Sequence, residues 1–196
     1  MAEDERGFTE DLWRKMAELG WMGLAIPEES GGSGMGFLDL AVLLAEMGYF
    51  CLPGPFFASV VLGGLTLVEA AHDEQKAEIL PGLAAGNRIL TLALLEEEGI
   101  HSPAGVKLSA RRQGEHFVLC GTKLFVPDAH VADTIICAGR TDDTSEGISL
   151  FLVDAKTPGM TTDVLETMAG DKQCEVVFDG VKVPQTRVLG EIGQGW

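Results

Sequence analysis

The hydrophobic period of this chain changes once, close to Gly86-Asn87, and that change decides what it can fold into. Before it, Phe8, Leu12, Met16 and Leu19 recur at three- and four-residue intervals, with Trp13 beside them. Such spacing predicts an amphipathic helix, and Glu10 and Asp11 favour the positive end of its dipole. Gly20 is expected to stop it. A second helix is predicted from Phe37 to Met47, with Leu40, Ala41 and Leu44 on one face. A third opens at Pro55, a residue suited to a first helical turn. A fourth, Asp73 to Leu80, is expected to end before Pro81-Gly82.

From about Ile89 the apolar runs are short and bounded by Gly, Asp and Ser. They include Phe117/Leu119, Thr134 to Cys137 and Ile148 to Val153. Val176-Val177-Phe178 and Val181-Lys182-Val183 flank Asp179-Gly180, a pair that favours a two-residue type I′ hairpin. Helices followed by strands, rather than alternating βαβ units, exclude a doubly wound sheet. The expected class is α+β: a helical first part, then a β-rich second part, with the boundary near Gly86-Asn87.

Charge narrows the partners. The 196 residues carry 14 Lys and Arg against 30 Asp and Glu, a formal net charge of −16. Phosphate recognition needs clustered cations, so nucleic acid is excluded, as is a polybasic membrane anchor. No charge falls between Glu46 and Glu69, yet Pro53 and Pro55 break that stretch. Phe56 to Val68 is also shorter than the roughly 20 residues a bilayer requires. No membrane insertion is expected. Cys51, Cys120, Cys137 and Cys174 form no C-x-x-C pair, and the acidic start lacks the features of a secretory signal. A reducing cytoplasm is therefore the expected location.

Few residues offer chemistry by themselves. No G-x-G-x-x-G can be drawn through Gly31-Gly32-Ser33-Gly34-Met35-Gly36, and no strand precedes it, so a mobile loop between helices is expected. Glu96-Glu97-Glu98 reads as a solvated run of like charges. His72, His101, His116 and His130 lack metal-ligand spacing, so no metal site is expected; His130 has Asp133 nearby for a local hydrogen bond. There is no nucleophile elbow and no Cys–His catalytic signature.

Several segments in order resemble the acyl-CoA dehydrogenase family of flavoenzymes. Leu19-Gly20-Trp21-Met22-Gly23-Leu24, Pro27-Glu28-Glu29 and Gly31-Gly32-Ser33-Gly34 are similar to that family's G-W-x-G…P-E-x-x-G-G-x-G segment. Leu80-Pro81-Gly82-Leu83 with Gly86 resembles the end of its helical domain. Gly121-Thr122-Lys123-Leu124-Phe125, with Ala129 and Ala132-Asp133, is similar to the middle domain's G-x-K-x-W-I-T-N-A-x-x-A-D. Gly147 to Val153, Pro158-Gly159, Val176 to Pro184 and Gly193-Gln194-Gly195-Trp196 continue the series.

The resemblance implies an N-terminal helical domain over residues 1–88, an antiparallel β-barrel-like domain over 89–196 and then a four-helix domain. This sequence covers the first two, with opening helices shortened, so a fragment or truncated gene product is implied. The implied reaction oxidises the Cα–Cβ bond of an acyl-CoA thioester: a carboxylate takes the α proton while hydride leaves for N5 of FAD. The base belongs to the four-helix domain, so no catalytic residue is expected here. Its implied partners are the acyl-CoA substrate, an electron-transfer flavoprotein, and other acyl-CoA dehydrogenase subunits in a homo- or hetero-oligomer.

The flavin positions implied by the resemblance are Leu94, Leu95, Glu96, Ile100, His101, Phe125, Val126 and Pro127, with His101 also at the substrate. Against the family's T-E-P-x-x-G-S-D, Glu96 is kept, Leu95 replaces Thr, Glu97 replaces Pro, and Ile100-His101 replaces Gly-Ser. Phe125 replaces a Trp and so keeps an aromatic face. Pro127 replaces a Thr and Asp128 an Asn; Pro127 offers neither hydroxyl nor amide proton. A non-catalytic partner subunit with a degenerate flavin site is the alternative expectation, and a stand-alone β-domain binding module a third.

Overall fold

The computed structural model describes residues 4–142, 144 and 147–196; they are helical up to Ala84 and stranded from Leu90. Helix α1 (Glu10–Glu18) starts where Thr9 accepts a hydrogen bond from the Leu12 amide and ends before Gly20, at φ +77°. Helix α2 spans Phe37–Tyr49, and its Asp39 carboxylate accepts from the Gly36 amide at 2.9 Å. The third apolar segment forms π-helical turns over Phe57–Leu65 that continue as α3 (Thr66–Ala70). It approaches its neighbours closely at Gly63 and Gly64, where a Cβ would lie 2.4 Å from Leu90 and 2.8 Å from Leu83.

The fourth helix is longer than its sequence suggests. Helix α4 runs Asp73–Ala84, straight through Pro81. Proline forfeits one intrahelical bond, but Leu80 and Leu83, both fully buried, draw the last turn into the core. Among the described residues, no helix is long and apolar enough to cross a membrane.

Eight strands form one sheet: β1 (Leu90–Ala93), β2 (Ser109–Gln113), β3 (His116–Pro127), β4 (Thr134–Arg140), β5 (Ile148–Asp154), β6 (Met160–Leu165), β7 (Gln173–Pro184) and β8 (Val188–Leu189). Their order is β6-β7-β3-β2-β4-β5-β8, with β1 beside β4. The pairings are antiparallel except β1–β4 and the single-residue β2–β4 contact. Side chains from β1 to β5, β7 and β8 meet in one interior, including Phe117, Phe151, Phe178 and Val181, so the sheet is rolled in barrel fashion. The α+β class is therefore correct.

The expected hairpin at Asp179-Gly180 is absent. Both residues lie inside β7, where Leu119 pairs with Val181 and Cys120 with Asp179, leaving Gly180 as an extra residue at φ +67°. It is a β-bulge, and the additional residue switches which parity faces the core: Cys174, Val176 and Phe178 before it, Val181 and Val183 after it.

The unbroken apolar runs of β4 and β5 have a physical reason: both faces are covered. Ile135, Cys137, Phe151 and Val153 point into the rolled interior. Ile136, Ala138, Leu150 and Leu152 point the other way, into a core shared with Leu40, Leu80 and Leu83 of the helical half. Polar contacts fix the same seam. Gln75 donates to the carbonyls of Thr186 and Val188 at 2.9 Å each, and Ser59 accepts from the Leu90 amide at 2.9 Å.

The glycine-rich loop is pinned by backbone bonds: the amides of Ser33, Gly34 and Met35 donate to Gly23, Ile26 and Leu24 at 2.8–2.9 Å. A Cβ on Gly32 would sit 2.1 Å from the Ile26 carbonyl oxygen. Gly32→Ala should therefore destabilise the protein by roughly 1–3 kcal/mol, since backbone must move. Gly48→Ala, in α2 with nothing within 4 Å of the new carbon, should instead stabilise by about 0.5–1 kcal/mol. Urea melts of both variants check the pair.

Candidate functional site

Two stretches that are far apart in sequence come together at one end of the rolled sheet. The first leaves β1 as Leu94-Leu95-Glu96; the second closes β3 as Phe125-Val126-Pro127. The Leu124 amide donates to the Leu95 carbonyl at 2.9 Å, and the Thr91 hydroxyl donates to the Pro127 carbonyl at 2.6 Å. Between Lys123 and Val126 the register with β7 slips, and Phe125 takes φ +52°, uncommon for an aromatic residue. That bulge turns the Phe125 ring outward, leaving it 54% exposed, while Val126 stays in the core.

Glu96 has a different role from its expected solvated one. Lys123 is completely buried, and its ammonium donates to Glu96 Oε1 at 2.7 Å and to the Leu94 carbonyl at 3.0 Å. The same carboxylate accepts from the amides of Lys107 and Leu108 at 3.0 Å. Glu96 is thus saturated by a buried cation and backbone donors, and it ties β1, β3 and the Val106–Leu108 approach to β2 into one knot. Glu97 and Glu98 are exposed, with Glu98 paired to Lys107, and both line a groove of about 490 Å³ with Thr122 and Glu175.

Ile100 and His101 lie in the following loop, both exposed. Among the described residues no hydrogen bond joins His101 to the Phe125–Pro127 group. The loop is held from beneath by Arg140, whose guanidinium donates to the carbonyls of Pro103 (2.5 Å), Val106 (2.8 Å) and Thr144 (2.6 Å). Neither this clamp nor the burial of Lys123 was anticipated. Strict alternation from Phe117 and Leu119 does point Lys123 inward, and that signal was available.

Asp128 follows at φ +53°, with its amide donating to the Lys172 carbonyl at 2.8 Å. It lines a cleft of about 630 Å³ between the helical half (Gly7, Cys51 to Gly54) and the turn Ala169 to Gln173. Burial, with Asp171 adding a like charge, pushes the Asp128 carboxyl up to about 6. His130 does not bond Asp133, whose carboxylate accepts from the Ile89 amide at 2.9 Å; its Nδ1 lies 3.8 Å from Cys174 Sγ. Burial lowers the His130 pKa and raises that of Cys174, so this pair is not a poised thiolate. Among the described residues, no group of three or more His, Cys, Asp or Glu is arranged to hold a metal ion.

A helical half packed on a rolled sheet, with an exposed aromatic wall at the sheet's end, defines the class of scaffold. The profile for the acyl-CoA dehydrogenase N-terminal domain matches residues 1–87, and that for the acyl-CoA dehydrogenase middle domain matches residues 91–181. The mitochondrial isovaleryl-CoA dehydrogenase of Pongo abelii is 30% identical over 94% of this chain and 46% of its own length. The ChsE4-ChsE5 complex of Mycobacterium tuberculosis matches at TM-score 0.85 and 28% identity, over 95% of this chain and 49% of that one. A glutaryl-CoA dehydrogenase of Mycobacterium smegmatis in complex with FADH2 matches at TM-score 0.83 and 27% identity, covering 96% and 49%. The chain belongs to the acyl-CoA dehydrogenase family, and it spans about half the length of these relatives.

The Asp128 carboxyl generates a pH prediction. Its folded pKa of about 6 exceeds the unfolded value of about 3.9. Ionisation therefore favours the unfolded chain, and the stability present below about pH 4 is lost as pH rises through about 6. Asp128→Asn should raise stability at pH 8 by roughly 1–3 kcal/mol and leave it nearly unchanged at pH 4. Urea denaturation at the two pH values gives the comparison; an equal gain at both would remove titration as its cause.

Proposed function

We propose that this chain supplies the helical and β domains, divided at 88/89, of an FAD-dependent oxidoreductase acting on the Cα–Cβ bond of acyl-CoA thioesters. The observation that carries the reading is Phe125, an aromatic side chain held outward by a strained bulge beside the Leu94–Leu95 backbone. The residues present fit a flavin ring in two respects: an exposed aromatic face and an ordered backbone edge. They lack hydroxyl donors at positions 95 and 127, because Leu95 and Pro127 have none, and the neighbouring Thr91 hydroxyl is committed to the Pro127 carbonyl.

On this reading Leu94, Leu95, Phe125 and Pro127 would line the flavin together with the backbone of Val126, whose side chain is in the core, and Ile100 and His101 lie on the loop held by Arg140. His101 would also face the acyl-CoA. FAD, when bound, would supply hydride acceptance. The chain's own residues would shield one ring face and position the loop; Glu96, committed to Lys123, is not free to act as base. By the family resemblance, removing the α proton would fall to a carboxylate outside this sequence, and the chain alone would be incomplete for catalysis. An electron-transfer flavoprotein as acceptor, a cytoplasmic setting and assembly with like or unlike subunits complete the proposal.

A second reading, a non-catalytic subunit supporting an active homologue, is favoured by Leu95, Ile100 and Pro127 together. The relative from Mycobacterium tuberculosis is described as a two-component complex, which is compatible with it. Co-purification with a separate flavin-bearing subunit would favour this reading; a flavin-loaded homo-oligomer would count against it.

The chain alone should bind FAD weakly and should not oxidise butyryl- or octanoyl-CoA with a dye acceptor. Turnover by this chain alone would overturn the placement of the base. In a flavin-binding full-length form, Pro127→Thr with Leu95→Thr should tighten FAD binding by about fivefold for each hydroxyl, roughly thirtyfold together, since each nets about 1 kcal/mol. Fluorescence titration reads this. Tight binding unchanged by both substitutions would show that the backbone, not these side chains, holds the flavin.

A further inference from the structure

Arg140, the last residue of β4, fastens more than the loop of Ile100 and His101. Its guanidinium reaches the Pro103 carbonyl through Nη2, the Val106 carbonyl through Nε and the Thr144 carbonyl through Nη1. Its own amide donates to the Leu108 carbonyl at 2.8 Å. Next to the first two acceptors lies the tight turn Pro103–Gly105, in which the amides of Gly105 and Val106 donate to the carbonyls of Ser102 and Pro103. Ile100 is folded hard against that turn, since a Cβ on Gly105 would sit 2.2 Å from the Ile100 carbonyl oxygen. The guanidinium therefore holds the turn, and the turn holds Ile100. A planar fork of donors can serve all of these carbonyls at once, whereas the point charge of a lysine cannot.

The same end of β4 is joined to another piece of chain. Arg140 pairs with Ile148 across β4 and β5, and the Ile148 carbonyl accepts from the Gly195 amide at 2.7 Å. Beside it the completely buried Ser149 hydroxyl lies 3.1 Å from the Thr141 hydroxyl and accepts from the Gly193 amide at 2.8 Å. Thr141 follows Arg140 directly, and its amide donates to the Gly147 carbonyl at 2.9 Å. A Cβ on Gly195 would meet the Leu150 amide nitrogen at 2.8 Å, so this segment lies flat on β5 with no room to shift. All of these are contacts within the chain, and none depends on what covers its outer faces.

We propose that Arg140 is a positioning residue that sets the loop of Ile100 and His101 in register with residues 193–195, using the start of β5 as their shared support. Moving the guanidinium displaces Pro103 and Val106 on one side. On the other it displaces Gly193 and Gly195, through Ile148 and the hydroxyls of Thr141 and Ser149. The bearing on a ligand rests on the flavin reading, which puts Ile100 and His101 at the flavin; the coupling itself does not.

Amide hydrogen exchange followed by NMR on the intact chain tests the coupling. Arg140→Lys should speed exchange at Gly105 and Val106 about tenfold, as the loss of a hydrogen bond from a charged donor predicts. Exchange at Gly193 and Gly195 should rise as well, by a smaller factor. Ser149→Ala, which touches only the far side, should in turn speed Gly105 and Val106, because coupling between two sites is reciprocal. Amides of β7 and α1 should not change in either variant. Faster exchange confined to the loop in Arg140→Lys, or to Gly193 in Ser149→Ala, overturns the proposal. So does an equal rise in β7 and α1, which would mark a general loss of stability. In a flavin-binding full-length form, Arg140→Lys should also alter the visible absorption of FAD at saturation, a signature that lost stability alone does not produce. An unchanged flavin spectrum beside coupled exchange would remove the flavin reading of the loop and leave the coupling standing.

Discussion

A completely buried ammonium group anchors the end of the sheet that carries Phe125. Removing Lys123 from water is expensive, and only a close carboxylate with further donors around it makes the arrangement stable. Glu96 supplies the carboxylate, and the Leu94 carbonyl takes a second proton of the ammonium. Glu96 then needs partners for its remaining lone pairs, and the amides of Lys107 and Leu108 provide them. The participants come from three stretches of chain, Leu94 to Glu96, Lys107-Leu108 and Lys123. Satisfying one charge therefore fixes the exit of β1, the middle of β3 and the approach to β2 relative to each other. Breaking either side of the pair would leave the other buried and unsatisfied, so the segment carrying Leu94 and Leu95 has little freedom to drift.

A second constraint joins the helical half to the sheet. Because β4 and β5 are buried on both faces, the two halves do not each close a private core. Ile136, Ala138 and Leu150 depend on Leu40, Leu80 and Leu83 for their burial. The bidentate pair of Arg187 with Glu78 and the two Gln75 bonds add direction to that contact. The cleft holding Asp128 lies where the halves meet, so a shift of the helices would alter the environment of that carboxyl as well.

The sequence discloses these features unevenly, for physical reasons. Helix and strand types were legible because hydrophobic period survives in a single chain; α1 and β5 are examples. Local turn chemistry was less reliable. Asp179-Gly180 suits a hairpin turn and a bulge equally, since both need a residue tolerant of positive φ. Pro81 looked like a helix end because propensity ignores the burial of Leu80 and Leu83. The motif resemblance singles out Leu95, Phe125 and Pro127, and the structure brings the two segments that carry them together through the backbone bond from Leu124 to Leu95. Alternation in β3 points Lys123 inward, but its pairing with Glu96 and the Arg140 clamp are not legible, because their partners lie far away in the chain.

The scaffold around Phe125 is built from interactions that do not depend on the substituted side chains. The bulge arises from strand register, the Leu124–Leu95 bond is backbone, and the Thr91 hydroxyl reaches a carbonyl that Pro127 retains. With Leu95 and Pro127 at the positions where the resembled motifs carry Thr, the wall and its support stand without those hydroxyls. Fold and ligand chemistry are decoupled at this end of the sheet. Such a site can lose affinity by steps of about 1 kcal/mol without any penalty in stability, because no buried partner is orphaned when a hydroxyl aimed at a ligand disappears. The aromatic at φ +52° is the exception, since its strain gains nothing for packing: the ring is more than half exposed. Strain retained at an exposed aromatic argues that this wall faces something other than water.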